Sequence, residues 1–223
     1  MLHELAENLV GKIRSLSIPL QSEKPTKDPE VWDISLTYGE LSPSSVVEII
    51  EMSLKHCLLP TPHRFFDIGS GHGFPSIIAA TLFPVIAFSG GVEILPSHFS
   101  TSLRNQAAAI SLVESEVRNR VEGVDFRCGD VLSEENTSLL KDCSLLFCNS
   151  TAFSESLLAG LFKAIEGIKP GAVFVCTSQK LSSPLFELLE EKVLKSSWGE
   201  ATVRVYRRKR IPLWVKGFGR NKI

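Results

Sequence analysis

This 223-residue chain lacks most of the familiar signs of a stapled, metal-bound or membrane-spanning protein. Its five cysteines, Cys57, Cys128, Cys143, Cys148 and Cys176, are odd in number and include no CxxC pair. That pattern argues against a disulfide framework or a zinc site, and for a reducing compartment. The five histidines form no HxxxH pair and no His/Cys cluster, so no metal site is expected. No uninterrupted apolar run reaches the length of a membrane span. The opening Met1-Leu2-His3-Glu4-Leu5-Ala6-Glu7 carries two acids and no basic stretch, unlike a secretory signal. There is no GxSxG nucleophile elbow and no Gly-Lys-Ser/Thr phosphate loop. Internal repeats and low-complexity tracts are also absent. Disulfide scaffolds, zinc modules, membrane spans, serine hydrolases of the elbow type and P-loop enzymes are thereby set aside.

What is present suits one soluble, core-forming domain, with or without a small appendage. The chain is 43% hydrophobic and 22% charged, with a net charge of -1, a balance unlike that of a disordered chain. The small net charge hides an asymmetry. Arg204 to Lys222 holds eight of the 24 basic residues and no acid, leaving 16 basic against 25 acidic residues elsewhere, a balance of -9. A basic end on an acidic body points to a polyanion or acidic surface, or equally to a solvated edge strand and tail.

Along the chain, apolar positions at 2, 5, 9, 13 and 16 predict a helix over Leu2 to Leu16. Ser17 to Glu30, with three prolines, reads as a linker or loop. Ser42 followed by Pro43 is a good helix start, and that helix runs until Pro60 and Pro62. Strands and helices then alternate: strand Arg64 to Ile68, helix Gly73 to Leu82, strand Val85 to Ile94, and a long helix Pro96 to Val121. The inward face of that long helix is predicted as Phe99, Leu103, Ala107, Ile110, Val113, Val117 and Val121. Further strands are predicted at Val124 to Arg127, Cys143 to Cys148 and Ala172 to Thr177, with a helix Phe153 to Ile168. Lys192 to Ser197 and Ala201 to Arg207 read as a hairpin around Trp198-Gly199-Glu200. The expected fold class is α/β. It is a Rossmann-like seven-stranded sheet, mostly parallel with a C-terminal antiparallel hairpin, covered by helices on both faces.

Chemistry concentrates in Asp67-Ile68-Gly69-Ser70-Gly71-His72-Gly73, an acidic strand end followed by a glycine turn and a helix start. Such a turn at the end of the first strand of an alternating sheet is where open α/β folds bind nucleotides. The dinucleotide pattern GxGxxG is not met, because Phe74 stands where its last glycine belongs. Asp67 would repel a pyrophosphate and welcome an amino group. The ligand should therefore carry a cation and no phosphates, and S-adenosylmethionine fits. Glu93, ending the second strand in Gly91-Val92-Glu93, is placed to accept both ribose hydroxyls. Asp130, after Gly129, reads either as an acceptor for an adenine amino group or as a turn-forming residue. Asn149, Ser150 and Thr151 end the fourth strand, where an incoming nucleophile approaches the sulfonium; one of Ser150 and Thr151 reads rather as the cap of the next helix. Tyr38-Gly39-Glu40 lies in a loop able to fold over the cofactor. Trp198 reads as a core or rim residue, or as a wall of a substrate channel.

In this order the motifs resemble those of the Dot-one-type histone-lysine methyltransferases, a non-SET family. The resemblance runs from Tyr38 to Tyr206. Tyr38-Gly39-Glu40 resembles its cofactor-loop motif, Asp67 to Gly73 its glycine motif with the unusual serine, Gly91-Val92-Glu93 its ribose motif and Gly129-Asp130 its adenine-side motif. Asn149-Ser150-Thr151-Ala152-Phe153 is similar to its Asn-Asn-Phe-Ala-Phe motif, and Ser197-Trp198 matches a Ser-Trp pair. Phe74 stands where the family has Gln, Val131 where it has an aromatic, and Ser150 and Thr151 where it has Asn and Phe.

The resemblance implies an S-adenosyl-L-methionine-dependent transfer of methyl to a lysine amine. Glu40, Asp67, Gly69, Ser70, Gly71, Gly73, Glu93, Asp130, Val131 and Asn149 are the cofactor-binding candidates. Asn149, Ser150 and Tyr38 are the catalytic candidates, and Thr151, Phe153, Trp198 and Tyr206 the channel candidates. A nucleosomal histone is the implied substrate, with nucleic-acid contact through Arg204 to Lys222 and no membrane. The location expected is intracellular, nuclear for a histone substrate and otherwise cytoplasmic. Residues 1–60 are expected to form an N-terminal helical segment and cofactor-covering loop, 61–210 the methyltransferase domain and 211–223 a basic tail. Methylation of a non-histone protein, RNA or small molecule, and cofactor binding without turnover, are the alternatives.

Overall fold

The computed structural model describes residues 1–17 and 39–210. Tyr38, most of the linker and the tail beyond Arg210 lie outside the described residues. Two helices open the fold, α1 (Leu2–Leu16) and α2 (Pro43–His56). Then come β1 (His63–Ile68), α3 (Phe74–Leu82), β2 (Ile86–Glu93), α4 (Pro96–Leu112), α5 (Ser115–Glu122), β3 (Asp125–Cys128), α6 (Glu134–Asp142), β4 (Leu145–Cys148), α7 (Glu155–Ile165) and β5 (Val173–Thr177). The hairpin β6 (Phe186–Ser196) and β7 (Gly199–Arg208) completes it. The seven strands lie in the order β3-β2-β1-β4-β5-β7-β6. The first five are parallel, and β7 pairs antiparallel with β5 and with β6. None of the described helices is long and apolar enough to cross a membrane.

Period-two alternation divides the core between the two faces of the sheet. Phe65, Val175 and Val205 join Ala6, Val10 and Ile13 of α1 and the buried side of α2 and α3. Phe66, Phe174 and Tyr206 face the other way, with Leu161 and Ile165 of α7. The N-terminal helices therefore share their core with the sheet. Ser42 caps α2 as its sequence suggests, its hydroxyl accepting from the Ser45 N–H at 3.1 Å.

Three elements differ from the sequence expectation. The long helix is broken at Val113, and α5 folds back on α4. Gln106 holds the return, its amide donating to the Val121 and Val124 carbonyls at 2.8 and 3.0 Å. The predicted inward face holds in part: Phe99, Ile110, Val113 and Val117 pack against the core and Val121 is buried, but Leu103 and Ala107 are exposed and α4 instead buries Ser102, Asn105 and Ala109. Asn105 is buried there because its amide meets backbone, donating to the His72 carbonyl at 2.9 Å. Second, α6 went unpredicted although Ser133 caps it and Glu134 and Glu135 fill its first turn. Third, β6 begins at Phe186 rather than Lys192. Its charges pair across the hairpin, Glu187 with Arg207 and Glu191 with Arg204.

One close approach fixes the sheet beneath the glycine turn. A Cβ on Gly91 would lie 2.5 Å from the Ser70 Cβ and 3.1 Å from the Asp67 carbonyl oxygen. The serine of the turn is thus seated against a glycine of β2. Gly91→Ala should destabilise the fold by about 1–3 kcal/mol through overpacking. Ser70→Gly in the same chain should recover part of that loss. Urea unfolding of the two single variants and the double variant measures the coupling.

Candidate functional site

The order of the strands sets the site. Chain order reverses between β1 and its two neighbours, β2 and β4, and the crevice at the carboxyl ends of these strands is where doubly wound sheets place ligands. A cleft of about 820 Å³ occupies this position. Its floor is the turn Asp67 to Gly73, which needs left-handed backbone at Gly69, Gly71 and Gly73, with φ of 73°, 51° and 82°. At Gly73 a side chain is also blocked by space, since its Cβ would sit 2.4 Å from the Phe126 ring.

Asp67 ends β1 at the base of the cleft, 1% exposed. Its Oδ1 is buried and accepts no hydrogen bond among the described residues. Burial, and after it the charge of Glu93, pushes the Asp67 carboxyl well above the usual carboxylate range. An acid with a buried oxygen left unsatisfied by the described residues suits a ligand that brings a cation. Glu93 lies at the tip of β2 and organises the turn: Oε2 accepts from the Gly71 N–H at 2.9 Å and Oε1 from the Leu95 N–H at 2.8 Å. Each carboxylate oxygen keeps a lone pair for a hydroxyl donor. Val131 and Asp130 line the far end. Asp130 Oδ1 accepts from the Leu132 N–H at 2.8 Å, so the turn-forming role is present there.

A roof closes the other side. Glu40 exchanges hydrogen bonds with Ser197: the Ser197 N–H donates to the Glu40 carbonyl at 2.7 Å, and the Ser197 hydroxyl accepts from the Glu40 N–H at 3.1 Å. Leu41 adds a bridge to Ser196. Gly39 lies flat beneath Trp198, where a Cβ would meet the indole at 2.4 Å. The Asn149 amide donates to the Gly39 carbonyl at 2.9 Å, and its oxygen accepts from Thr177 Oγ1 at 2.8 Å. The Glu40 carboxylate meets Arg14 of α1 and lies 3.1 Å from His72 Nδ1. His72 stands edge-on to His98, ring centroids 5.2 Å apart.

Most of the sequence-derived site residues meet in this one cleft, including Thr151, Phe153 and Trp198. Two do not. Ser150 is fully buried and donates to the Thr177 carbonyl at 2.6 Å, so it braces the β4–β5 ends and does not face the cleft. Nor does it or Thr151 cap α7, since Ser154 does. Tyr206 is likewise no channel wall. It pairs with Phe174 near the start of β5, about 10 Å along the sheet from the tips. There it is 4% exposed, and its hydroxyl accepts from the Leu181 N–H at 3.2 Å. Tyr38 lies outside the described residues. Arg14 and His98 line the cleft and were missed. The available signal for Arg14 was its position one turn beyond Val10, at the border of the apolar stripe of α1.

The basic end is partly structural. Arg204 pairs with Glu191 and Arg207 with Glu187, while Arg208 donates to the Glu166 carbonyl at 3.0 Å. The buried thiols offer no nucleophile, since desolvation pushes Cys143 and Cys176 up to about 12.

The family described as "Histone methylation protein DOT1" matches residues 33–203. The chain belongs to this family. Relatives titled "Histone-lysine N-methyltransferase, H3 lysine-79 specific" agree with it. That of Candida albicans is 34% identical over 141 residues, covering 62% of this chain and 10% of the relative. That of Eremothecium gossypii is 29% identical over 148 residues, covering 63% of this chain and 24% of the relative. The chain thus spans a small part, a quarter at most, of the relatives it matches. Among solved structures, an rRNA methyltransferase from Streptomyces viridochromogenes aligns with a TM-score of 0.59 at 15% identity, covering 83% of this chain and 94% of the other. An RNA methyltransferase from Salinibacter ruber, bound to S-adenosyl-L-homocysteine, aligns with a TM-score of 0.53 at 20% identity, covering 76% and 94%. These two likenesses concern the fold.

Asp67 yields a test of the cleft. Its folded pKa is raised, so its contribution to stability is greatest below the unfolded carboxylate value of about 4 and declines as pH rises toward the raised value. At neutral pH the ligand-free Asp67→Asn variant should therefore melt at or above the parent temperature. Its affinity for S-adenosylmethionine should fall about ten- to a hundredfold, as expected for loss of a charged partner. Thermal melts and titration calorimetry read the two effects separately.

Proposed function

We propose that the chain transfers a methyl group from S-adenosylmethionine to the side-chain amine of a lysine in a nucleosomal histone. The observation that carries this reading is the family match over residues 33–203, which contains nearly the whole cleft. The relatives' titles name histone H3 lysine 79, which makes that residue the first acceptor to test. A nuclear place of work follows from that substrate.

The cleft fits the donor. Asp67 would receive the ammonium of its amino-acid end, and Glu93, already fixed by Gly71 and Leu95, the ribose hydroxyls. Val131 and Asp130 would flank the adenine. When bound, S-adenosylmethionine supplies a sulfonium methyl open to in-line attack by a lone pair, the S–CH₃ bond breaking as the N–CH₃ bond forms.

The chain's own task is to bring in an amine that has a lone pair. A lysine in water has a pKa of about 10.4 and is almost wholly protonated at neutral pH. Phe153 and Trp198, on the wall of the cleft, would strip water from the entering side chain and lower that pKa. The proton leaves to solvent before attack, so no dedicated base is required. Asn149 acts through the roof, holding Gly39 and with it the loop over the donor. Fixing the two reactants in line contributes up to about 7–11 kcal/mol in ideal cases.

Radiolabel transfer should appear on intact nucleosomes and be at least about tenfold weaker in Glu93→Ala, which loses a charged acceptor. Label confined to free protein, RNA or small molecules would redirect the substrate. Cofactor binding without label in any of these would make the chain a binding module. The basic end is assigned to nucleosomal DNA on its charge. Because Arg204, Arg207 and Arg208 have partners within the fold, the charge test falls on Lys216, Arg220 and Lys222, which lie outside the described residues. Neutralising those three should weaken nucleosome binding and flatten its salt dependence by about 2–3 in log–log slope. An unchanged slope would remove DNA from the account.

A further inference from the structure

The charge of the cleft is lopsided. Four carboxylates, Glu40, Asp67, Glu93 and Asp130, line it, and among the described residues Arg14 is its only lysine or arginine. A donor with an amino-acid end carries an ammonium and a carboxylate on one carbon. Asp67 suits the first. The second would enter a cleft of acids, where like charges repel strongly at low effective dielectric. It therefore needs a cation.

Phe74 is the first residue after the glycine turn. It presents an apolar ring, 7% exposed, at the start of α3. The Arg14 guanidinium lies over that ring, 5.1 Å from its centroid. The turn that Phe74 closes begins at Asp67, so the cation and the buried acid flank the same short segment. Arg14 is held from two sides, by the ring and by Glu40, to which it donates through Nη2. A guanidinium carries five donors in a planar fork, enough to serve a second carboxylate alongside the first. The N-terminal helix that bears it is not a loose appendage, since Ala6, Val10 and Ile13 anchor it in the core.

We propose that Arg14 is the residue that recognises the carboxylate of the donor's amino-acid end, with Phe74 and Glu40 positioning it. The proposal rests on the methyl-donor reading above and assigns a recognition role to α1. Arg14→Gln leaves the buried face of α1 intact, and a thermal melt checks its fold.

Titration calorimetry on the full chain should use two ligands: S-adenosylmethionine and its decarboxylated counterpart, which keeps the sulfonium and the amine. The parent should prefer the carboxylated ligand at least tenfold. Arg14→Gln should lose at least tenfold on that ligand and little on the decarboxylated one, so that the preference collapses toward unity. Arg14→Lys should retain part of it. Equal losses on both ligands, or a preference left intact in Arg14→Gln, would overturn the assignment, because a merely structural Arg14 predicts one or the other. If the parent binds neither ligand, the methyl-donor reading itself falls, and the role of Arg14 with it.

Discussion

A carboxylate sits at the base of the cleft with a buried oxygen that no donor among the described residues satisfies. Keeping a polar group in that state costs free energy, on the order of 1–3 kcal/mol, and a fold retains it where a ligand completes it. The surrounding structure keeps Asp67 at the tip of the central strand and the backbone close around it. Three left-handed glycines turn the chain tightly away from β1. Gly91 admits Ser70 beside the turn, Glu93 ties down the Gly71 N–H and Asn105 holds the His72 carbonyl. These contacts come from β2 and α4, so the turn is set by the strand beside it and the helix that follows.

The roof is assembled from distant parts of the chain: α1, the Gly39-Glu40-Leu41 segment, the end of β4 and the β6–β7 turn. Their meeting explains residue types that the glycine turn alone does not. Gly39 is small because Trp198 lies on it, Ser197 pairs with the Glu40 backbone, and Asn149 reaches the Gly39 carbonyl. A roof tied to the hairpin places the aromatic wall and the Gly39-Glu40-Leu41 segment in register. The residues that would shape an entering lysine are thereby coupled to those that would hold the donor.

The parallel sheet, the glycine turn and the acids at the strand tips were legible in the sequence because they obey local rules: alternation, punctuation by glycine, and acids at strand ends. Hidden features depended on partners far along the chain. The charged first half of β6 carries no strand signal of its own until Arg204 and Arg207 are seen across from Glu191 and Glu187. On α4, Leu103 and Ala107 were misread as inward, and buried Asn105 was missed because its amide answers a backbone carbonyl of the distant glycine turn. Ser150 looked like a site residue from its motif, yet its hydroxyl is consumed by the Thr177 carbonyl. Tyr206 failed as a channel residue because strand register, which places it beside Phe174, is invisible before the sheet is built. Arg14 escaped notice since nothing local links a helix near the N-terminus to a turn more than fifty residues away.

The central claim is that the Asp67 carboxylate receives the ammonium of a cationic adenosyl donor. A crystal structure of the chain with S-adenosylhomocysteine tests it most directly, since that ligand keeps the ammonium and the adenosyl group. The account predicts the ligand's amino nitrogen within hydrogen-bond distance of Asp67, with the ribose at Glu93. A ligand seated elsewhere, or an Asp67 still lacking a donor when the cleft is filled, would contradict it.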